Sequence, residues 1–286
     1  MRLLSRFLSR VAFHAAWRLG RNSVTVNGCW GRFRGHADDI AMLGHYGYHG
    51  TWSAGTVELL VQTAREIVDR GEPPPLLLDV GASIGLVSIG VLRQAPGQAL
   101  AIECYPDSIP LLKRNIIKNR MDDRIEIKNM AVGAPESNNR SVRMARTPGN
   151  GGDCWVIDET DENSGTPLVS LDEIAANYPD IPLLLKVDVQ GYEPQVLVGG
   201  SETFQQARLT VIEFWPYGIQ RMGLDPETFI KQLLENNNHR IALMHDEHRV
   251  QPVNWISRET AVSELKKIIA DGRMERQVEI ILGGMN

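Results

Sequence analysis

The chain has 286 residues, 43% hydrophobic and 23% charged, with a formal net charge of −5. This length suits one large α/β domain with additions, and the acidic balance argues against general nucleic-acid binding. Three scattered cysteines, Cys29, Cys104 and Cys154, suit a reducing, cytoplasmic compartment and no zinc site, and no run approaches the roughly 18 apolar residues of a membrane span.

Taken in order, the chain opens with Arg2, Arg6, Arg10, Arg18 and Arg21 and no acid before Asp38. Leu3, Leu4, Phe7, Leu8, Val11 and Ala12 repeat between them at helical spacing. This predicts a basic amphipathic helix within residues 1–21. It suits peripheral contact with an anionic membrane surface, or packing on its own domain with the arginines in solvent. Ser23 to Phe33 alternates and is expected to form a hairpin turning on Asn27-Gly28. The segment from Gly44 to Gly55 is rich in glycine and aromatics and reads as a loop, either closing over a ligand or packed by its own rings. Thr56 to Arg70 predicts an amphipathic helix, and Pro73-Pro74-Pro75 mark the boundary between an N-terminal extension, 1–72, and the main domain, 73–286.

The main domain is organised around Leu76 to Leu86, LLLDVGASIGL. A short apolar run bounded by glycines predicts a buried parallel strand, a tight turn and then a helix over Leu86 to Gln94. Small residues in the turn let backbone approach a ligand closely, and the helix N-terminus offers free N–H groups to an anionic group. A second apolar run ends at Glu103, 18 residues beyond Gly85. That is close to the roughly 20 expected for a carboxylate that holds a ribose. Strand, glycine turn and spaced acid together indicate a nucleoside cofactor.

The same five residues, Gly81-Ala82-Ser83-Ile84-Gly85, also match G-x-S-x-G, the nucleophile elbow of serine hydrolases. Asp172 or Asp188, with His239, His245 or His248, would then complete a triad. Against this, Asp79 and Glu103 would have no task. A dinucleotide enzyme is disfavoured because the turn lacks the G-x-G pair suited to a pyrophosphate.

Further on, Ile125 to Met130 predicts a third strand, with Asn129 and Met130 as candidates to flank an adenine. Residues 134–163 are polar and glycine-rich. An insertion this long is expected to carry its own strands, Ser141 to Ala145 pairing with Cys154 to Ile157, or to face a substrate. Leu183 to Val189 is a buried strand carrying Lys186 and Asp188, charges that need a partner or a ligand. Leu209 to Phe214, Arg240 to Met244 and Gln277 to Leu282 are further strands, and Asp225 caps a helix from Pro226 to Glu235. Strands and helices alternate throughout, which calls for a Rossmann-like, doubly wound, mostly parallel sheet with helices on both faces.

Four blocks, LLLDVGASIGLVS, AIECYP, SLDEI and LLKVDVQGYEPQVLVGG, together resemble the FkbM family of S-adenosylmethionine-dependent methyltransferases, over roughly Leu76 to Asn236. The chain departs from the family's pattern at Gln190, where a Glu is usual, and at Cys104-Tyr105-Pro106, where the acid is usually followed directly by Pro. The resemblance implies a seven-stranded sheet, S-adenosyl-L-methionine as cofactor, and O-methylation of a hydroxyl on a small-molecule, glycan or lipid acceptor. Gly81, Ala82, Ser83 and Gly85 are then expected beside the methionine part of the cofactor, with Asp79 beneath the turn, bonding the amino group, and Glu103 on the ribose. Asp188 is the expected general base and a neighbour of the cofactor, with Glu193 and Glu213 lining the same pocket. Lys186 pairs with one of these or steadies a developing alkoxide. A divalent cation bound by clustered carboxylates is a further option, though no metal-ligand spacing is persuasive. A non-catalytic nucleoside-binding module is the remaining alternative, and the oligomeric state is not legible.

Overall fold

The computed structural model describes residues 11, 13–16, 18–134, 140–160, 165–235 and 239–283. In chain order the strands and helices are β1 (Ser23–Gly28), β2 (Gly31–His36), α1 (His45–His49), α2 (Ala54–Asp69), β3 (Leu76–Val80), α3 (Leu86–Leu92), β4 (Gln98–Glu103), α4 (Ser108–Lys118) and β5 (Ile125–Asn129). Then come β6 (Ala131–Val132), β7 (Ser141–Arg146), β8 (Cys154–Thr160), β9 (Thr166–Val169), α5 (Leu171–Ala175), β10 (Leu183–Val187), α6 (Glu193–Val198), α7 (Ser201–Gln206) and β11 (Leu209–Phe214). The chain closes with α8 (Pro216–Arg221), α9 (Pro226–Glu235), β12 (Arg240–Met244), β13 (Trp255–Ile256), α10 (Arg258–Asp271) and β14 (Val278–Gly283).

The main sheet runs β13-β12-β14-β11-β10-β3-β4-β5. The seven expected strands are all in it, and the two-residue β13 adds an eighth at one edge. From β11 to β5 every pairing is parallel, while β14 runs antiparallel to both β11 and β12. Both faces are covered, which is why these strands read as unbroken apolar runs and not as alternations. Leu77, Ala99, Ala101, Leu184 and Val211 face one core, built with α2, α3 and the N-terminal extension. Leu78, Val80, Leu100, Leu185, Ile212 and Phe214 face a second core, built with the later helices.

Two features of this sheet position a site. The chain leaves β3 toward β4 and β5 on one side, then returns to β10 on the other. The C-terminal ends of β3 and β10 therefore flank the topological switch point, where open α/β sheets bind ligands. The ends also approach closely. Gly81 follows β3 with φ +81°, and a Cβ there would lie 1.8 Å from the Asp188 carbonyl oxygen. Only glycine fits both the left-handed conformation and the contact.

The N-terminal extension shares its core with the sheet. Val26, Phe33, Tyr46 and Leu60 are buried together with Ile84 and Ile89. The predicted hairpin is present, but it turns at Cys29-Trp30, and Gly28 pairs with Gly31. Asn27-Gly28 stays in the strand because the Tyr46 ring covers Gly28, while Trp30 is buried against Gly90. The expected loop after Gly44 is partly helical. Asp39 accepts the amides of Met42 (3.0 Å) and Leu43 (3.2 Å), starting a helical turn over Ile40–Gly44 that runs into α1. Tyr46 is fully buried and its hydroxyl donates to the Gly31 carbonyl at 3.1 Å, so it packs the core and does not close on a ligand. Of the basic N-terminal helix, residues 1–10, 12 and 17 lie outside the described residues; Phe13 and Ala16 are buried and Val11 is exposed. Among the described residues no helix is long and apolar enough to cross a membrane.

Within 134–163 the expected hairpin forms: β7 and β8 pair antiparallel with a register shift between Arg143 and Met144. With β6 and β9 they make a separate four-stranded sheet. Asp225 caps α9, accepting the Thr228 amide at 2.9 Å.

Candidate active site

A cavity opens at the switch point. Its walls come from the turn after β3 (Gly81, Ala82, Ser83), the end of β4 (Glu103, Cys104), β6 (Ala131, Val132), the end of β10 (Lys186, Asp188, Gln190) and Glu213 on β11. Trp52 from the extension, Met144, Asn150 and Cys154 from the insertion, and Glu247 and His248 after β12 complete it.

The turn after β3 is built from backbone hydrogen bonds. Gly81 and Ala82 both donate to the Ile102 carbonyl at 3.0 Å, and Gly85 donates to Ala82 at 2.8 Å. Ser83 has φ +49° and Gly85 φ +87°, so the chain coils tightly before α3 begins. Glu103 fastens this turn to β4. Its Oε2 accepts the Ser83 amide at 2.6 Å and its Oε1 the Tyr105 amide at 2.7 Å. Burial raises its pKa, opposed by those two amides. Each oxygen keeps a further lone pair for a ligand hydroxyl.

Asp79 has a different task from the one expected. It is fully buried and does not line the cavity. Its Oδ2 accepts the Ser88 amide (3.1 Å) and hydroxyl (2.5 Å), satisfying an amide in the first turn of α3. Its Oδ1 lies 3.5 Å from the Lys186 ammonium. Gly85 likewise sits behind the cavity, against Leu112. Asn129 is exposed and absent from the cavity wall, its side-chain amide donating to the Glu103 carbonyl at 3.4 Å, and Met130 packs on the second core. Ala131 and Val132, not that pair, line the cavity. The strand carries on beyond Asn129 into β6, which shifts the lining two residues along.

Lys186 donates to the Gly81 carbonyl at 3.0 Å and lies 3.4 Å from Asp188 Oδ2 as well as near Asp79. The hydrogen bond to Gly81 ties β10 to the glycine turn, and the two carboxylates flank the ammonium at ion-pair distance. Burial alone would lower its pKa, but Asp188 and Asp79 outweigh that and raise it.

Asp188, part-exposed, accepts from Gln190 Nε2 at 2.7 Å, and the same nitrogen reaches Glu213 Oε2 at 3.2 Å. Glu193 is fully buried and absent from the cavity wall: it accepts the amides of Val189 (2.8 Å) and Gly191 (2.9 Å), holding the turn between β10 and α6. It is nonetheless close. One carboxylate oxygen each from Asp188, Glu193 and Glu213 lie within 4.8 Å of one another, so the three carboxylates expected near one pocket do cluster. At an effective dielectric near 20, two full charges at that separation repel by about 3 to 4 kcal/mol. Accordingly Glu213 is pushed well above the usual carboxylate range, by burial first and then by Asp188 and Glu193. Glu193 is pushed up to about 7, by burial and then by the Asp188 charge.

Glu247 is not singled out by the sequence, and His248 is considered there only as a triad partner for Ser83; both line the cavity. Ser53 donates to Glu247 Oε2 at 2.5 Å and its amide to His248 Nδ1 at 3.1 Å, so the extension and the turn after β12 brace each other. The available signal was position: a polar turn at the C-terminal end of a strand lies on the same sheet edge as Glu103 and Asp188. The hydrolase reading finds no support in Ser83, whose hydroxyl contacts Met42 Sδ at 3.8 Å while its amide is held by Glu103. Cys104 and Cys154 are buried enough to raise both thiols, Cys154 to about 12, so they line the wall as small apolar groups.

The model of the family described as the methyltransferase FkbM domain matches residues 79–262. Ribosomal protein L11 methyltransferase of Chloroflexus aurantiacus is 24% identical over 126 residues, which span 44% of this chain and 37% of that protein. Methyltransferase sdnD of Sordaria araneosa is 28% identical over 201 residues, 58% of this chain and 74% of that protein. Among solved structures, the O-methyltransferase from Bacillus cereus in complex with SAH aligns at a TM-score of 0.37 and 11% identity, covering 79% of this chain and 80% of that one.

Proposed function

Because the chain belongs to the FkbM methyltransferase family, we propose that it transfers a methyl group from S-adenosylmethionine to a hydroxyl on a sugar, lipid or natural-product acceptor. One observation carries this reading. A single cavity has the glycine turn and Glu103 on one side and Asp188 with Glu213 on the other. The residues present fit the donor. Gly81, Ala82 and Ser83 bring the chain to the cavity wall with little side chain in between, which suits its methionine part, and the free lone pairs of Glu103 suit the ribose hydroxyls. The apolar Ala131, Val132 and Cys104 suit the adenine. The acid side favours a positively charged sulfonium.

When bound, the donor supplies a methyl group already activated on sulfur. In transfer the carbon–sulfur bond breaks with its electron pair going to sulfur, the carbon–oxygen bond forms, and the hydroxyl proton leaves. The chain's part is to align the oxygen behind the methyl group, exclude water and take that proton. Asp188 is our candidate base, because it is the part-exposed member of the acid group. Glu213 beside it is the second carboxylate within reach. Glu193 and Lys186 act as positioning residues, through the turn after β10 and through the glycine turn.

Calorimetric titration with S-adenosylmethionine, followed by labelled-methyl transfer to a panel of hydroxylated acceptors, tests the reading. Saturable binding and Asp188-dependent transfer are expected. Binding with no transfer to any acceptor points to a nucleoside-binding module, and no binding at all overturns the reading.

A further inference from the structure

The acid group on the far side of the cavity carries more negative charge than its lysine answers. Lys186 is shared between Asp79 and Asp188. Among the described residues, no lysine or arginine lies within ion-pair distance of Glu193, Glu213 or Glu279.

Glu279 is the telling member. It is the direct antiparallel partner of Glu213 across β11 and β14, so both side chains leave the sheet on the same face. Val278 and Ile280 on either side of it pack into the opposite core. Glu279 is 7% exposed, and among the described residues its carboxylate makes no hydrogen bond or ion pair. The charges that act on it are those of Glu247, Asp188, Lys186 and Glu193. A buried carboxylate without a donor is costly, and in native proteins such a group usually answers to a ligand.

We propose that this group is a binding site for one divalent cation, with Asp188 and Glu213 as its primary ligands and Glu279 and Glu193 closing it from the β14 and α6 sides. Carboxylate oxygens are the donors that hard cations take. The oxygens of Asp188, Glu193 and Glu213 lie within 4.8 Å of one another. That span is about twice a calcium–oxygen distance of 2.3 to 2.6 Å, and small side-chain shifts bring it to the size of manganese or magnesium. The ligands come from four separate segments, which is why no metal spacing is visible along the chain. The cation's use in catalysis, as an anchor for the acceptor oxygen, rests on the methyl-transfer reading; the binding itself does not.

The full chain, freed of metal by a chelator and dialysed, is titrated calorimetrically with calcium, manganese and magnesium chloride in turn, without cofactor or acceptor. Manganese binding is read independently by electron paramagnetic resonance. One saturable site per chain is expected for at least one of the three ions. Asp188→Asn, at the part-exposed edge, and Glu279→Gln, on the β14 side, are each expected to weaken it by about tenfold or more. Circular dichroism reports whether each variant folds. The proposal is overturned if the unmodified chain shows no saturable binding of any ion up to about 10 mM, beyond the weakest class of calcium site. Binding that survives unchanged in either folded variant overturns it equally. S-adenosylmethionine titrated in the same buffer separates the two readings, since retained donor binding without cation binding sinks only this one.

Discussion

Gln190 donates its side-chain amide to Asp188 Oδ1 at 2.7 Å, from a backbone held at φ +59°. A neutral amide thus sits where the family resemblance leads one to expect a carboxylate. It donates to Asp188 and Glu213 together, where a glutamate would add another negative charge to the group.

Gln190→Glu is therefore expected to lower stability by about 1 to 3 kcal/mol above neutral pH, where the new carboxylate is ionised beside two others. The loss should shrink in acid. Urea unfolding followed by circular dichroism at two pH values checks this; an equal loss at both would mean that charge is not the cause.

Removing Glu103 leaves the Ser83 and Tyr105 amides without their acceptor. Glu103→Ala should cost about 1 to 3 kcal/mol of stability and at least about tenfold in affinity for S-adenosylmethionine. Calorimetry on the folded variant decides, and unchanged affinity would take Glu103 off the ribose.

Stability should also depend on pH in two opposed ways. Burial first, then nearby charge, pushes Glu193 and Glu247 from 4.5 up to about 7 in the folded chain. Between those values the folded form keeps protons that the unfolded form has lost, so stability falls as pH rises through that window. His45 works in the other direction: burial, then His248 and His49, lowers it from 6.5 to about 4. Its share of stability is lost as pH falls between those values, because the unfolded chain binds the proton first. Glu247→Gln is expected to flatten the decline between about pH 4.5 and pH 7, and His45→Phe the loss as pH falls from about 6.5 to about 4. Unfolding free energies measured across the range test both slopes.

The docking of the N-terminal hairpin rests on two amides four residues apart, Asn115 on α4 and Asn119 capping its C-terminal end. Asn115 exchanges hydrogen bonds with the Arg34 amide (2.8 Å) and carbonyl (3.0 Å), and Asn119 does the same for Arg32 (3.0 and 2.9 Å). Together they stand in for a neighbouring strand along the edge of β2. Asn115→Ala should cost about 2 to 4 kcal/mol, since it strands the buried Ile84 carbonyl and the part-buried amide and carbonyl of Arg34. Hydrogen exchange at the Arg34 amide should quicken well before that of the central strands. Protection equal to that of the unmodified chain would mean that the hairpin is held by its apolar face alone.

Gly81→Ala tests the close approach at the switch point. The added methyl would overlap the Asp188 carbonyl at 1.8 Å in a backbone of φ +81°. A loss of about 3 kcal/mol or more is expected, with donor binding abolished in whatever folds.

The order of strands and helices was legible along the chain, because apolar period and glycine placement are local properties that burial on both faces of a parallel sheet enforces. The glycine turn and the acid 18 residues on were legible for the same reason: each ends a strand, and strand ends in such a sheet meet at one edge. Side-chain tasks were not. Asp79 and Glu103 each follow an apolar run, yet one is buried against Ser88 and the other lines the cavity, because strand pleat and helix position decide which way a carboxylate points. Asn129 and Met130 gave way to Ala131 and Val132 when the chain continued into a second sheet. Glu247 and Glu279 come near Asp188 only through the pairings of β14 with β11 and β12, which join Leu209 and Arg240 to Gly283. Local pattern follows from the nearest few residues and can be read in one dimension. The company a buried charge keeps is settled by distance in space, and only the folded sheet supplies that.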